Sequence, residues 1–165
     1  MNEGNRKVDR FLTESGLWEG PFTNYVNREE TLIQKGKISI KVTVEEDNVI
    51  TQEVALFDDE GNRGPYTGSA KVKVEGDKLR NMLEITEDPN TGNTIDHHTL
   101  NGFILDKHLL IVETYDEVFP DGRVDARRNT NHYYFLSEDE MYMLSDVHVN
   151  EKLLVFANAK LKKIK

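Results

Sequence analysis

Residues 109–134, LLIVETYDEVFPDGRVDARRNTNHYY, decide how this chain is read. Two runs rich in β-branched and aromatic residues flank Phe119-Pro120-Asp121-Gly122, and Pro followed by Asp-Gly is turn chemistry. The stretch therefore reads as a β-hairpin. A connection of two or four residues, the usual even lengths, puts Glu113 and Tyr115 on one sheet face with Arg128, Thr130 and His132. That face also carries Leu109 and Ile111, so it looks toward a core. Charges, a phenol and an imidazole on such a face cost on the order of several kcal/mol unless they are paired or wet. The pattern predicts a sheet closed around a partly polar hollow.

The rest of the chain fits a meander around that hairpin. Lys37-Ile38-Ser39-Ile40-Lys41-Val42-Thr43-Val44 alternates without a break, and Glu46-Asp47-Asn48 turns it into Ile50, Gln52, Val54 and Leu56. Tyr66, Gly68, Ala70, Val72 and Val74 alternate in the same way. The compact Gly76-Asp77 turn sets Val74 beside Leu79, Val72 beside Asn81 and Ala70 beside Leu83. Further strands run over 94–104, 141–149 and 153–161, separated by turn clusters such as Asp88-Pro89-Asn90-Thr91-Gly92-Asn93. Residues 5–14, NRKVDRFLTE, place Val8, Phe11 and Leu12 at helical spacing, so a short amphipathic helix precedes the strands. Eight to ten antiparallel strands on short turns must curl, and closure removes the sheet edges. No linker, composition break or internal repeat divides residues 1–165, so a single domain is expected.

Composition bounds the function. The chain has 165 residues, 37% hydrophobic and 31% charged, and no cysteine, which excludes disulfides, thiolate metal sites and Cys nucleophiles. A net charge of −9 disfavours nucleic acid and anionic membrane surfaces, and no apolar run approaches the ~18 residues of a membrane span. No apolar region follows Met1-Asn2-Glu3-Gly4, so no secretory signal is read and a cytoplasmic location is expected. A homodimer is left open.

At Gly16-Leu17-Trp18 the chain resembles the Gly-x-Trp signature that opens the first strand of lipocalins, after a short helix and before a run of meander strands. The resemblance implies a lipocalin-like barrel of the calycin superfamily, with Lys160 or Lys162 on the last strand packed over Trp18 as a cation on an aromatic face. Glu113-Thr114-Tyr115-Asp116 loosely resembles the Thr-Asp-Tyr signature in altered order. Within these barrels, SGLWEGPFTNY and ETYDEVFPDGR look most like the phycobilin lyases and related uncharacterised bacterial barrels, while the residues after Arg123 depart from that pattern.

If Asp106-Lys107 is a two-residue turn, Leu105 pairs with His108 and His98 falls opposite Tyr115. His98, Glu113, Tyr115, Arg128, His132 and Tyr134 then share one inward face and form the candidate ligand site. A Glu113–Arg128 pair either holds a ligand carboxylate through the guanidinium fork or braces the barrel internally. Met141, Met143, Leu154 and Phe156 suit an adaptable apolar wall. His97 and His98, adjacent on a strand, point to opposite faces and cannot share an ion. His98 and His132 could, but no third ligand is evident, so no metal is expected. A haem on one axial His, or a bilin, is an alternative occupant. The expected function is binding of a small, largely apolar molecule with a polar or acidic head. The alternatives are a barrel enzyme or chromophore lyase, using Glu113 with His98 for acid–base chemistry, and a structural protein with a filled barrel.

Overall fold

The computed structural model describes residues 6–165. Asn5 and the Met1-Asn2-Glu3-Gly4 segment lie outside the described residues. Helix α1 (Asp9–Thr13) is followed by ten strands: β1 (Gly16–Val26), β2 (Leu32–Val44), β3 (Val49–Phe57), β4 (Arg63–Glu75), β5 (Lys78–Asn81), β6 (Thr94–Ile104), β7 (His108–Val118), β8 (Val124–Phe135), β9 (Glu140–Val149) and β10 (Lys152–Lys163). Each strand pairs antiparallel with its sequence neighbours, and β1 pairs with β10, so the sheet is a closed up-and-down barrel.

The period-2 pattern sets what the interior contains. Trp18 faces Ile40 across β1–β2, and Ile40 faces Val54 across β2–β3. At the end where β1 begins, the lumen is packed solid. Trp18, Ile40, Leu109, Met141 and Leu161 are fully buried there, each worth about 1.5–3 kcal/mol in transfer free energy. Helix α1 stoppers this end. Its five residues are too few to hold a helix by themselves, so packing maintains it. Val8, Phe11 and Leu12 are buried, and the Phe11 ring lies 5.7 Å from Trp18, 5.8 Å from Tyr133 and 5.5 Å from Phe135. Asp9 receives the Arg6 backbone N–H at 3.0 Å and its guanidinium at 2.9 Å.

The cation opposite Trp18 is Lys163, not Lys160 or Lys162. Strand β10 presents Ala159 and Leu161 inward, so the even-numbered lysines fall outside and are exposed. Lys163 donates to Glu14 at 2.9 Å and ties the C-terminal strand to the helix end.

Two departures from regular pairing shape the opposite end. Strand β5 keeps the expected Val72–Asn81 and Val74–Leu79 partners but stops at Asn81, so Ala70 never meets Leu83. The upper half of β4 therefore has no strand on that side, and residues 82–93 cover the gap through Met82 N–H to Lys71 O (2.8 Å) and Ile95 N–H to Thr86 O (2.8 Å). In β6 a bulge at His97, with φ +56°, shifts the register between Asp96 and Thr99.

Removing the stopper tests its role. Phe11→Ala should cost about 3–4 kcal/mol in urea unfolding, the usual range for a buried aromatic truncation. A loss below about 1 kcal/mol would show that α1 does not close the barrel.

Candidate functional site

The hairpin that decided the fold closes on an odd loop. Val118 pairs with Val124, Phe119 N–H donates to Arg123 O at 2.9 Å, and Pro120, Asp121 and Gly122 form a three-residue turn with Gly122 at φ +87°. This is a type I turn followed by a left-handed glycine, which offsets the second strand by one residue relative to an even loop. Every side chain of β8 therefore takes the face opposite to the expected one. Arg127, Asn129, Asn131 and Tyr133 point inward with Glu113 and Tyr115, and Arg128, Thr130, His132 and Tyr134 point outward.

Of the six expected site residues, His98, Glu113 and Tyr115 are brought together inside. The two-residue Asp106-Lys107 turn is present, with Leu105 N–H donating to His108 O at 2.8 Å. The rings of His98 and Tyr115 lie 6.4 Å apart. Arg128, His132 and Tyr134 are corrected to the outer wall. There the His132 and Tyr134 rings stack with His108, and His108 Nε2 lies 3.1 Å from His132 Nδ1. Burial first, and then His132, lowers the His108 pKa from its ordinary value. The wall parts consequently put His98 and His132 on opposite faces. Among the described residues no three His, Asp or Glu side chains are placed to hold a metal ion. Met141 and Met143 line the interior as expected, while Phe156 lies outside and is exposed.

The interior divides into two levels. Tyr133 on β8 reaches across the lumen and receives a hydrogen bond from Gln52 Nε2 on the opposite wall at 3.0 Å. Below this bridge lies the packed core. Above it the staves become chemically unequal. Val54, Leu56 and Ala70 on β3 and β4 are partly exposed apolar side chains. Facing them, β6–β9 carry a polar wall. Glu113 is its centre, accepting from His98 Nε2 at 2.8 Å and Asn129 Nδ2 at 3.1 Å. Ser145 donates to Asn131 Oδ1 at 2.6 Å. Tyr66 on β4 leaves 47% of its surface open, yet its phenol is pushed up, first by burial and then by Glu113 and Asp88.

Near the rim, Glu117 is fully buried. It lies 2.6 Å from Arg127 Nε, a Coulombic contact whose N–H is not aimed at the oxygen. Its other oxygen accepts from Thr91 Oγ1 at 3.0 Å and Asn93 Nδ2 at 2.9 Å, which latches the covering segment 82–93 onto the barrel. The expected Glu113–Arg128 pair is thus replaced by Glu117–Arg127. Sequence reasoning missed Arg127, Asn129, Glu117 and Tyr66. The signal for the first two was glycine in the third position of Pro-Asp-Gly, the mark of the three-residue loop.

The fold and site define a class: a closed ten-stranded barrel with one end stoppered and polar side chains on the inner face of β6–β9 toward the other. A solved structure of a protein of unknown function from the DUF3598 family of Nostoc punctiforme shares this fold, with a TM-score of 0.56 at 9% identity over 95% of this chain. This chain spans about half of that protein, 49% of its length. A candidate oleoyl thioesterase from Lactobacillus plantarum aligns over 94% of this chain and 78% of its own, at 9% identity and a TM-score of 0.23, below the level of a shared fold. No family model and no curated protein sequence matches the chain.

Two measurements check the site's electrostatics. Burial, the largest cause in each case, pushes the phenols of Tyr115 and Tyr133 up to about 12. A folded-state value above the unfolded one favours the neutral phenol in the fold. That stabilisation is complete below pH 10 and is lost as the pH rises to about 12. Absorbance titration should show these tyrosines ionising late, and Tyr133→Phe should flatten the decline in stability over that interval. Arg127→Leu, which strands the buried Glu117 carboxylate, should cost about 3–5 kcal/mol in urea unfolding. A cost under about 1 kcal/mol would mean Thr91 and Asn93 suffice.

Proposed function

We propose that the protein binds one small, largely apolar molecule in the chamber above the Tyr133–Gln52 bridge, with its polar head on the β6–β9 wall. The observation that carries this is the inequality of the two walls. Val54, Leu56 and Ala70 offer partly exposed aliphatic surface, and His98, Glu113, Tyr115 and Asn129 stand opposite as a hydrogen-bonding patch. Concave sites that take small molecules combine a mostly apolar lining with a few converging polar groups. A barrel filled for stability alone would bury aliphatic side chains at this level, as it does below the bridge.

Three of the originally expected residues, His98, Glu113 and Tyr115, keep their place in this reading, and Asn129 takes the part assigned to Arg128. His132 and Tyr134, on the outer wall, have none. Membership of the calycin superfamily rests on the Gly16-Leu17-Trp18 opening, whose tryptophan is wholly buried beside the stopper, and kinship with the phycobilin lyases on SGLWEGPFTNY and ETYDEVFPDGR. Acid–base catalysis is the second reading, favoured by the 2.8 Å His98–Glu113 pair. Recovery of a retained ligand chemically unchanged separates binding from catalysis.

The test is uptake of a neutral apolar fluorophore, N-phenyl-1-naphthylamine, by the full chain. One molecule per barrel should bind with a blue-shifted emission, and Val54→Phe, which fills the apolar wall, should weaken uptake at least about tenfold. Absence of uptake, or equal uptake by the folded variant, overturns the proposal.

A further inference from the structure

We infer that the head group this chamber selects is an organic cation, a protonated amine or a quaternary ammonium, and not the acid that a Glu–Arg pair would suggest. The inference rests on the binding reading above and narrows it.

Charge on the inward face is one-sided. Glu113 and Glu117 face the chamber, and Asp88 in the covering segment lies close enough to help push up the phenols of both Tyr66 and Tyr115. Among the described residues, Arg127 is the one Lys or Arg at an inward position on this half of the barrel, and Glu117 already holds it at 2.6 Å. The loop that turned Arg128 outward removed the cation a ligand carboxylate would have used.

Glu113 is the group left over. Its side chain keeps 20% of its surface open, and its two bonds from His98 Nε2 and Asn129 Nδ2 orient it without adding a guanidinium or ammonium. His98 is 93% buried, with 7% of its side chain exposed, and its Nδ1 has no partner. Among the described residues no Lys or Arg lies within ion-pair distance of Glu113, which sits in a part-buried site where Coulombic attraction is stronger than in water. Tyr115 shares the inward face of β7 with Glu113, and Tyr66 lies near enough for Glu113 to help push its phenol up. Aromatic faces next to a carboxylate are the chemistry that holds ammonium groups. Gly68 makes room for this arrangement, since a Cβ there would lie 3.0 Å from the Tyr66 hydroxyl.

The experiment compares one chain length with three heads: decylammonium, decanol and decanoate, titrated calorimetrically into the full protein at 150 mM salt (about physiological ionic strength, so that long-range surface attraction is screened). Decylammonium should bind at one site at least about tenfold more tightly than decanoate. Glu113→Gln should lower the ratio of amine to alcohol affinity by about tenfold. If that variant does not fold by circular dichroism, Tyr66→Leu should lower the same ratio several-fold through loss of an aromatic face. Equal binding of all three heads, or tighter binding of decanoate, overturns the cation inference and leaves the cavity reading standing. Amine preference that survives in folded Glu113→Gln also overturns it, by placing the selectivity on the acidic exterior. Failure of all three probes to bind overturns both readings.

Discussion

The pairing of β1 with β10 is the contact on which the rest of the molecule depends. A meander of ten strands left open would present two rows of unpaired backbone groups, an invitation to edge-to-edge association. Closing the ring satisfies both rows at once and converts the inner face into a surface that only the chain's own side chains, water or a ligand can cover. The ends of the first and last strands come together where α1 sits, and Lys163 meets Glu14 at that junction. Closure, stopper and packed floor are therefore one cooperative unit. Phe11 touches aromatic rings from both the first strand and β8, so the helix reports on whether distant parts of the ring have met.

Above the floor, burying polar groups becomes affordable only through pairing. The Tyr133–Gln52 bridge marks the change: both side chains are buried and each satisfies the other across the lumen. Beyond it the polar wall is a chain of local solutions. Glu113 is held by His98 and Asn129, Asn131 by Ser145, and Glu117 by Arg127, Thr91 and Asn93. The last set joins barrel to covering segment, because a buried carboxylate is too costly to leave half-paired and so fixes whatever supplies its partners. The covering segment and the rim of the barrel are thereby linked through one side chain.

Much of this was legible in the chain before any coordinates. Alternation over residues 37–44 and 66–74 placed Ile40, Val42 and Val72 in the core, and turn chemistry at Gly76-Asp77 and Asp106-Lys107 set the pairings around them. The helical spacing of Val8, Phe11 and Leu12 located the stopper. What escaped was parity. Side-chain direction along a strand is a two-state variable, so a loop one residue longer or shorter leaves the composition of a hairpin unchanged and reverses its chemistry. Pro120-Asp121-Gly122 was recognised as a turn, but its length was not, and Arg128, His132 and Tyr134 moved outside as a block. Lys163 stands where Lys160 or Lys162 was expected because the odd-numbered side chains Ala159 and Leu161 of β10 face the interior. Long-range partners such as Gln52 for Tyr133, and Thr91 for Glu117, have no sequence signal, because they depend on where the ring closes.

The Arg127-Arg128 dipeptide shows how such an error changes the functional reading without changing the inventory. Either parity places one arginine inside and one outside, so a search for an inward cation succeeds in both cases. What differs is the partner. In the even-loop reading the inward arginine lies beside Glu113, next to the histidine, and both charges are spent there. In the observed register it lies one step nearer the rim beside Glu117, and Glu113 is left with His98 and Asn129 and no guanidinium. The net charge of the wall is similar in the two arrangements, but the unpaired sign at its centre is opposite to what a carboxylate ligand would need. Specificity in a barrel of this kind is therefore decided less by which residues line it than by which of them the strand register leaves without a counter-charge.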